Sequence, residues 1–182
     1  MTVRKKNSIL IIDTNIFLTG IDFNLFEGEI YTTNKIFDEI NVSRYRDKNR
    51  TILSRFQAAL DNGKLHLKTP SEEYIKKVED ISETTGDKKA LSDADKEIIA
   101  LSLEFSLDGQ NEVILYTNDY SMQNLCKALG IKFKPLFREG IKRGLKFEIY
   151  CPICKIVYDS DFLNRECEKC GLKLKRRPIA DN

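Results

Sequence analysis

The chain has 182 residues, of which 41% are hydrophobic and 32% charged, enough for one packed domain of ordinary size plus a small module. The formal net charge is only +2, so total charge favours neither a nucleic-acid partner nor an acidic one. The longest clean apolar run, residues 9–12, is too short to span a bilayer. The basic residues Arg4, Lys5 and Lys6 lead into only these four apolar residues, which are too few for a cleavable signal peptide. We therefore expect a cytoplasmic protein.

The order of the predicted elements indicates an α/β fold. Continuous apolar runs at 9–12 and 113–116 are typical of strands that are covered on both faces in a parallel sheet. Strands that alternate with helices imply crossover connections, and therefore a mainly parallel sheet flanked by helices. The predicted strands are 9–12, 29–32, 65–68, 113–116 and 131–134, and the predicted helices are 34–44, 51–60, 71–83, 92–106 and 121–129.

Two acidic residues directly follow the buried strands. Asp13 comes after the run 9–12, and Asp119 comes shortly after the run 113–116. Ligands of open parallel sheets gather at the carboxyl ends of the strands. We therefore expect both carboxylates at the same edge of the sheet.

Two further acids lie on the inward sides of predicted helices. Glu39 borders the apolar stripe that contains Ile36, whereas Asp38 points to solvent. Asp95 precedes two isoleucines by three and four residues, whereas Asp93 faces outward. The inward acids are therefore expected to approach the two carboxylates at the sheet edge.

Together, these four acids favour a metal site. Carboxylates that converge without basic partners repel one another unless divalent cations lie between them, and oxygen ligands suit Mg²⁺ or Mn²⁺. Such ions support two-metal phosphoryl chemistry. Each acid also has a structural alternative: Asp13 as a turn residue, Glu39 as an exposed helix acid, Asp95 in a capping box with Ser92, and Asp119 as a helix cap.

Four cysteines near the end of the chain predict a zinc ribbon. They form two C-x-x-C pairs separated by twelve residues, which lets two short turns bind one tetrahedral ion: Cys151, Cys154, Cys167 and Cys170. Pro152 and Gly171 suit such turns. The alternative is disulfides or unrelated thiols, but disulfides need an oxidising compartment. Because so small a module has almost no apolar core, the metal must supply most of its folding energy. The fifth cysteine, Cys126, has the helical spacing of a buried core thiol.

The sequence around the acids resembles the PIN nuclease domain. The matching stretches are IIDTN with Asp13, IFDEI with Glu39, LSDADKEIIAL with Asp95 and LYTNDYS with Asp119. TGD…LSDADKEIIALSLE and VILYTNDYSMQN, followed by a four-cysteine ribbon, resemble the Nin-one-binding family in its compact archaeal form. The resemblance covers almost the whole chain. It implies a PIN-like nuclease domain, in residues 1–135, and a zinc ribbon with a basic tail, in 147–182. The residues between them, 136–146, carry two glycines and four basic side chains and are expected to form a basic linker.

The resemblance implies an endoribonuclease that matures the 3′ end of small-subunit ribosomal RNA, with precursor RNA and the pre-ribosomal particle as partners. It places the family's catalytic and metal-binding acids on Asp13, Glu39, Asp95 and Asp119. Asn15, Ser92, Asp93 and Thr117 are expected to support them, and Thr117 corresponds to the hydroxyl residue that precedes the last acid. The chain departs from the family at Asn118, where relatives often carry a second acid.

Basic residues in two regions are candidates for RNA binding. Tyr45 is interleaved with positive charges after the Glu39 helix, which suits single-stranded RNA, and the ribbon is flanked by further charges. Solvated surface charge is the alternative for both regions. The only histidine, His66, lies far in sequence from the acids and is expected to be structural or exposed. The RNA-binding candidates are Arg44, Tyr45, Arg46, Lys48, Arg50, Lys142, Arg143, Lys146, Lys173, Lys175, Arg176 and Arg177.

Two other functions fit parts of this pattern. A toxin-type PIN ribonuclease shares the acids, but such toxins generally lack a zinc ribbon. A non-catalytic RNA-binding ribosome assembly factor could keep the fold with unused acids, but retention of all four acids disfavours it. Metal-dependent cleavage that is lost when Asp13 becomes Asn discriminates between enzyme and assembly factor.

Overall fold

A computed structural model of the protein describes residues 8–42, 50–136, 140 and 145–179. In these ranges, strands and helices alternate along the first part of the chain, and short strands follow at its end. The strands are β1 (Ser8–Ile12), β2 (Glu29–Thr32), β3 (Leu65–Leu67), β4 (Glu112–Tyr116), β5 (Phe133–Lys134), β6 (Phe147–Tyr150), β7 (Val157–Tyr158) and β8 (Lys175–Pro178). The helices are α1 (Thr14–Phe17), α2 (Asn34–Ile40), α3 (Arg50–Asp61), α4 (Glu72–Thr85), α5 (Asp93–Asp108) and α6 (Tyr120–Leu129).

The first five strands form a parallel sheet flanked by helices, which confirms the predicted α/β class. The strand order in the described residues is β3-β2-β1-β4-β5, and all pairs are parallel. β1 is therefore central, and its residues Ile11 and Ile12 are fully buried. Ile12 lies opposite Tyr116 of β4, so the residues that follow these two strands emerge side by side at the carboxyl edge of the sheet.

One hydrophobic core holds this parallel unit together. It takes side chains from the central strands and from the helices, including Phe17, Phe56 and Ile98, which are fully or almost fully buried. Cys126 of α6 is also fully buried in this core, as its helical spacing predicts. His66 lies half-buried on β3, with its ring centroid 4.9 Å from that of Tyr31.

The end of the chain forms a second, smaller sheet. Its described strands are antiparallel in the order β7-β6-β8, and a separate small cluster is buried between them. Only four buried residues make up this cluster, among the residues that the structure describes: Ile149, Cys151, Cys167 and Leu174. This is the ribbon that the cysteine spacing predicts.

Several element ends differ from the sequence prediction. α2 ends at Ile40, before the predicted end at residue 44, because the backbone of Asn41 leaves the helical conformation, with a φ of −90° and a ψ of 10°. β5 begins at Phe133 rather than at residue 131, because the Ile131 N–H is still bonded to Cys126 O at the end of α6. Across the described ranges, no helix is long and apolar enough to cross a membrane.

Candidate active site and metal centres

Asp13 is the buried centre of the acidic site. It follows β1, its backbone N–H donates to Tyr116 O at 3.2 Å, and only 1% of the residue is exposed. Thr117, which follows β4, donates its hydroxyl to Asp13 Oδ2 at 2.9 Å. The same hydroxyl accepts the Asp119 N–H at 3.1 Å. The ends of the two central strands are therefore joined through one threonine, which fixes the Asp13 carboxylate.

The electrostatics of Asp13 indicate a site that attracts cations. Burial raises the pKa of Asp13 from 3.8 to about 7, the Thr117 hydrogen bond lowers it, and the charges of Asp95 and Asp119 raise it further. Burial also raises the pKa of Asp95, with a smaller contribution from Asp119. Among the described residues, no lysine or arginine forms an ion pair with these carboxylates. The charge of Lys96 lowers the pKa of Asp95 only slightly, and three mutually repelling carboxylates without an ion-paired base in the described part of the chain fit a divalent cation.

Asp119 and Asp95 also cap helices, so their structural alternatives are realised as well. Asp119 Oδ1 accepts the N–H groups of Ser121 and Met122 at 2.7 and 3.0 Å, at the start of α6. Asp95 forms a capping box with Ser92, whose N–H donates to Asp95 Oδ2 at 2.8 Å. Each cap uses one carboxylate oxygen and fixes the other, which can take a different ligand. Capping therefore orients these acids without excluding a metal role.

Glu39 reaches this edge from α2 through Thr14. Thr14 directly follows Asp13 in the chain, and its hydroxyl donates to Glu39 Oε2 at 2.6 Å. Glu39 is exposed, so its side chain is not turned inward as predicted and the alternative of an exposed helix acid is found. Asp93 lies on the outer side of α5, exposed and 3.6 Å from Lys96 Nζ, as the helix facing predicts. Asn15 is exposed on α1. In the described part of the chain, the four ribbon cysteines are the one group whose ligand atoms all lie within 4.8 Å of one another. The carboxylate oxygens of the acids are more widely spaced.

Sequence reasoning missed a buried acid on α5, the helix that carries Asp95. Glu97 is only 4% exposed, and Lys35 of α2 contacts its Oε2 at 2.7 Å. The missed signal is its spacing: Glu97 lies three residues after Ala94 and four before Leu101, on the buried stripe of α5.

Asn118, at the departure from the family pattern, accepts the Leu136 N–H at 2.9 Å, so its amide holds the chain after β5.

The four cysteine sulfurs of the ribbon can hold one ion. They lie within 4.8 Å of one another, and Cys151 Sγ and Cys170 Sγ are 3.5 Å apart. Tetrahedral thiolate ligands of zinc, each about 2.3 Å from the metal, are separated by roughly 3.7 Å. Both the ligand type and the spacing therefore fit zinc.

The two cysteine turns share one backbone design. Residue Lys155 follows the first pair with a φ of 59°, and Gly171 follows the second with a φ of 69°. In each turn, the N–H of this residue donates to the carbonyl of the pair's first cysteine, at 2.9 and 2.8 Å. A hydrogen bond from the Tyr158 hydroxyl lowers the pKa of Cys167 to about 6. A hydrogen bond with Cys170 raises the pKa of Cys154 to about 12, so the shifts within the cluster differ in direction. The thiolate is the form of cysteine that binds metal.

The predicted RNA-binding residues divide into three groups. Arg50, Lys146, Lys173 and Lys175 are exposed. Arg177 is paired with Glu148 at 2.6 Å, and the guanidinium of Arg176 is bonded to the buried Asp87. The prediction that Arg176 binds RNA is therefore corrected, since its guanidinium is already paired with a carboxylate inside the molecule. Arg44, Tyr45, Arg46, Lys48, Lys142 and Arg143 lie outside the described residues.

Comparison with known proteins agrees with this geometry. A family profile described as the PIN domain of ribonuclease matches residues 10–105, the region that carries Asp13, Glu39 and Asp95. The endoribonuclease Nob1 of Methanocaldococcus jannaschii is 34% identical over 171 residues, which cover 94% of this chain and 78% of the relative. This chain belongs to the Nob1 family of PIN-domain endoribonucleases.

Two further relatives support the assignment to the PIN-domain ribonucleases. The endoribonuclease Nob1 of Methanothermobacter thermautotrophicus is 34% identical over 168 residues, 92% of this chain and 91% of the relative. The ribonuclease VapC1 of Thermoplasma acidophilum is 28% identical over 168 residues, 92% of this chain and 77% of the relative. The resemblance to the Nin-one-binding family that the motifs indicated is confirmed, and the chain is a nuclease of the metal-dependent PIN class.

Proposed function

We propose that this protein is an endoribonuclease that hydrolyses a phosphodiester in precursor small-subunit ribosomal RNA, during 3′-end maturation on the pre-ribosomal particle. The observation that carries the proposal is the environment of Asp13. This carboxylate is buried at the carboxyl edge of the sheet and is fixed by a hydrogen bond from Thr117. The charges of Asp95 and Asp119 raise its pKa. Such a cluster of fixed oxygen donors suits phosphoryl chemistry.

The acids are proposed to hold Mg²⁺ or Mn²⁺, and the four cysteines one structural Zn²⁺. Divalent cations at such a site activate water and stabilise the leaving oxygen. The chain orients the donors: Thr117 holds Asp13, helix caps hold Asp95 and Asp119, and Thr14 holds Glu39. Because these contacts exist within the protein, the donors need little rearrangement when the substrate arrives.

The chain is further proposed to divide into a nuclease domain in residues 1–135, a linker in 136–146, and a ribbon with its tail in 147–182. The exposed side chains Arg50, Lys146, Lys173 and Lys175 remain candidates for phosphate contacts. Contacts of this kind position RNA without reading its sequence.

The direct test is cleavage of a precursor transcript by the purified zinc-loaded protein with Mn²⁺, with both new ends identified. Because water is the proposed nucleophile, the products carry a 5′-phosphate and a 3′-hydroxyl. A 2′-deoxy substitution at the cut position is then tolerated. The Asp13→Asn variant binds the same transcript but does not cut it. A 2′,3′-cyclic phosphate product, or full activity of Asp13→Asn, would contradict the proposal.

An unrelated structured RNA is the matched control substrate. Preference for the precursor supports the ribosomal role, and equal cleavage of both RNAs would indicate a less selective, toxin-like ribonuclease. Tight precursor binding without cleavage under any divalent cation would indicate an assembly factor instead.

A further inference from the structure

The loop between α4 and α5 receives a charged side chain from the ribbon. Asp87 in this loop is completely buried, and the guanidinium of Arg176 on β8 donates to its Oδ1. The amide of Asn124 on α6 donates to the other oxygen at 2.7 Å. Arg176 is also mostly buried, and its guanidinium lies 3.6 Å from the centre of the Phe147 ring. A charged ribbon residue is therefore sequestered in the nuclease core.

The next residues of the same loop repeat the pairing with the charges reversed. Lys88 Nζ lies 3.6 Å from Asp161 Oδ1 of the ribbon, and Lys89 Nζ lies 4.0 Å from the same atom. The loop thus places Asp87 against Arg176 of the ribbon, and Lys88 and Lys89 against Asp161 of the ribbon. A complementary pattern of this kind disfavours other orientations of the ribbon, because they bring like charges together.

The backbone contact at the start of this loop leaves no room for a side chain. Gly86 ends α4 with a φ of +74°, and a Cβ placed on it would lie 2.3 Å from the carbonyl oxygen of Phe147 on β6. The C-cap glycine of α6, Gly130, has nearly the same φ of +71° but no atom within 4 Å of a Cβ. Gly86 therefore serves the close approach of the ribbon as well as the helix end.

The contact lies next to the acidic site. Asn124 also holds the chain that enters the ribbon, accepting the Leu145 N–H at 2.6 Å and donating to Leu145 O at 2.7 Å. Arg176 reaches the hydroxyl of Ser121 at 3.3 Å, and the Ser121 N–H is bonded to Asp119. The ribbon is thus anchored on the helix that Asp119 caps.

We propose that Gly86, Asp87, Lys88, Lys89 and Asn124 form a dock that holds the ribbon at one fixed position relative to the acids, and so determines which phosphodiester is cut. The role in bond selection rests on the proposed function, whereas the dock itself does not. A ribbon tied only by its covalent connection would sample many distances from the acids. A docked ribbon holds bound RNA at one distance from them. Asp87 and Arg176 are in this view positioning residues that do not touch the substrate.

The test compares two ribbon arginines in the full-length, zinc-loaded protein. Arg176→Gln removes the charge that enters the dock, whereas Arg165→Gln removes an equal charge from the exposed surface of the ribbon, where the guanidinium lies 5.0 Å from the centre of the Phe162 ring. Nuclear magnetic relaxation of backbone amides gives the rotational correlation times of ribbon and core separately. Primer extension on a cleaved precursor gives the distribution of cut positions.

In the native protein we expect equal correlation times for core and ribbon and one dominant cut. In Arg176→Gln, the ribbon correlation time drops below that of the core, and cuts spread to neighbouring phosphodiesters. Arg165→Gln keeps the ribbon tumbling with the core and keeps one dominant cut. Asp87→Asn, which preserves the shape of the buried side chain but leaves Arg176 without a counter-charge, is expected to behave as Arg176→Gln. Retained zinc and native ribbon chemical shifts show that each variant is folded.

Two results would overturn the proposal. A ribbon that tumbles with the core in both Arg176→Gln and Asp87→Asn would rule out the dock. An undocked ribbon with an unchanged single cut would rule out its role in bond selection. If the native protein cuts no precursor, the proposed function fails and bond selection fails with it, while the correlation times still decide whether the dock exists.

Discussion

The nuclease core and the ribbon are stabilised by different means. The core buries a central parallel strand and apolar residues from several helices in one cluster. The ribbon buries only four residues in its described part, and two of them are cysteines of the proposed zinc site. Apolar burial contributes about 25 cal/mol per Å², so the core can fold by burial alone while the ribbon cannot. We therefore expect one unit of the chain to fold without metal and the other to require it.

Loss of zinc is the strongest way to separate the two units. In Cys167→Ser combined with Cys170→Ser, we expect the ribbon to unfold and the core to keep a cooperative thermal transition. Structural zinc contributes about 10–16 kcal/mol to the folding of small zinc modules, which is more than the ribbon cluster can replace. Amide chemical shifts of both units, recorded during stepwise zinc removal from the native protein, provide the measurement. Simultaneous loss of core and ribbon signals would show that the core also depends on the metal.

Inside the core, the acidic site opposes the stability that the rest of the core provides. With the zinc retained but Mg²⁺ and Mn²⁺ removed, Asp13→Asn is expected to stabilise the protein at pH 8 and to have little effect at pH 4. The raised pKa of Asp13, about 7 in place of 3.8, means that the folded state binds a proton more tightly than the unfolded state. Stability from this group is present below the unfolded pKa and is lost as the pH rises through the folded pKa.

The full difference corresponds to about 4 kcal/mol, at 1.36 kcal/mol for each pKa unit. Urea unfolding of both proteins across this pH range measures it. Addition of Mn²⁺ at pH 8 should stabilise the native protein more than Asp13→Asn, because an ion that binds only the folded state shifts the equilibrium toward it. Parallel pH profiles for the two proteins would contradict the burial of an ionisable Asp13.

The two acids in the first turn of α5 test whether capping or catalysis explains the site. Asp95→Asn is expected to reduce the rate of RNA cleavage on the order of 10²-fold. Its melting temperature should change little, because an asparagine oxygen can still accept the Ser92 N–H. Asp93→Asn, an exposed neighbour with the same charge change, should cut RNA at nearly the native rate. A lower cleavage rate for Asp93→Asn than for Asp95→Asn would show that Asp95 only caps the helix.

The smallest expected effect concerns the boundary between the units. Alanine in the left-handed region costs about 1–2 kcal/mol, and this cost is shared by Gly86→Ala and Gly130→Ala. Only Gly86→Ala also meets the Phe147 carbonyl. We therefore expect a further loss of about 1–2 kcal/mol for Gly86→Ala, comparable with the cost of overpacking a close contact. Equal unfolding free energies for the two variants would show that the ribbon can move away from residue 86 without loss of stability.

Local patterns predicted most of the fold and the separate parts of the site. Asp13 and Asp119 are found at the ends of central parallel strands because apolar runs mark buried strands and parallel strands share a carboxyl edge. The facing of Asp95 and Asp93 followed from the helical period, and the ribbon from the cysteine spacing. These features depend on residues that are close together in the sequence.

The contacts that sequence reasoning missed join distant segments. Arg176 was predicted to bind RNA because it belongs to a basic cluster, yet its partner Asp87 lies 89 positions away in the chain. Neither residue carries a periodic signal, since a buried ion pair depends on how two finished units meet. Glu97 was missed because a charged residue on an apolar stripe is expected to be exposed unless its partner is known. Here the pairing with Lys35 of α2 offsets the cost of burying the charge.

The buried thiol of Cys126 gives the chain an internal chemical reporter. It has no exposed surface, and burial raises its pKa, so a thiol-modifying reagent cannot reach it while the core is folded. The four ribbon cysteines include the half-exposed Cys154 and the exposed Cys170, and they become reactive when the ion leaves. Mass spectrometry after brief alkylation therefore distinguishes three populations in one sample. Unmodified protein has kept its metal, four adducts mark an opened ribbon on an intact core, and a fifth marks molecules whose core has also unfolded.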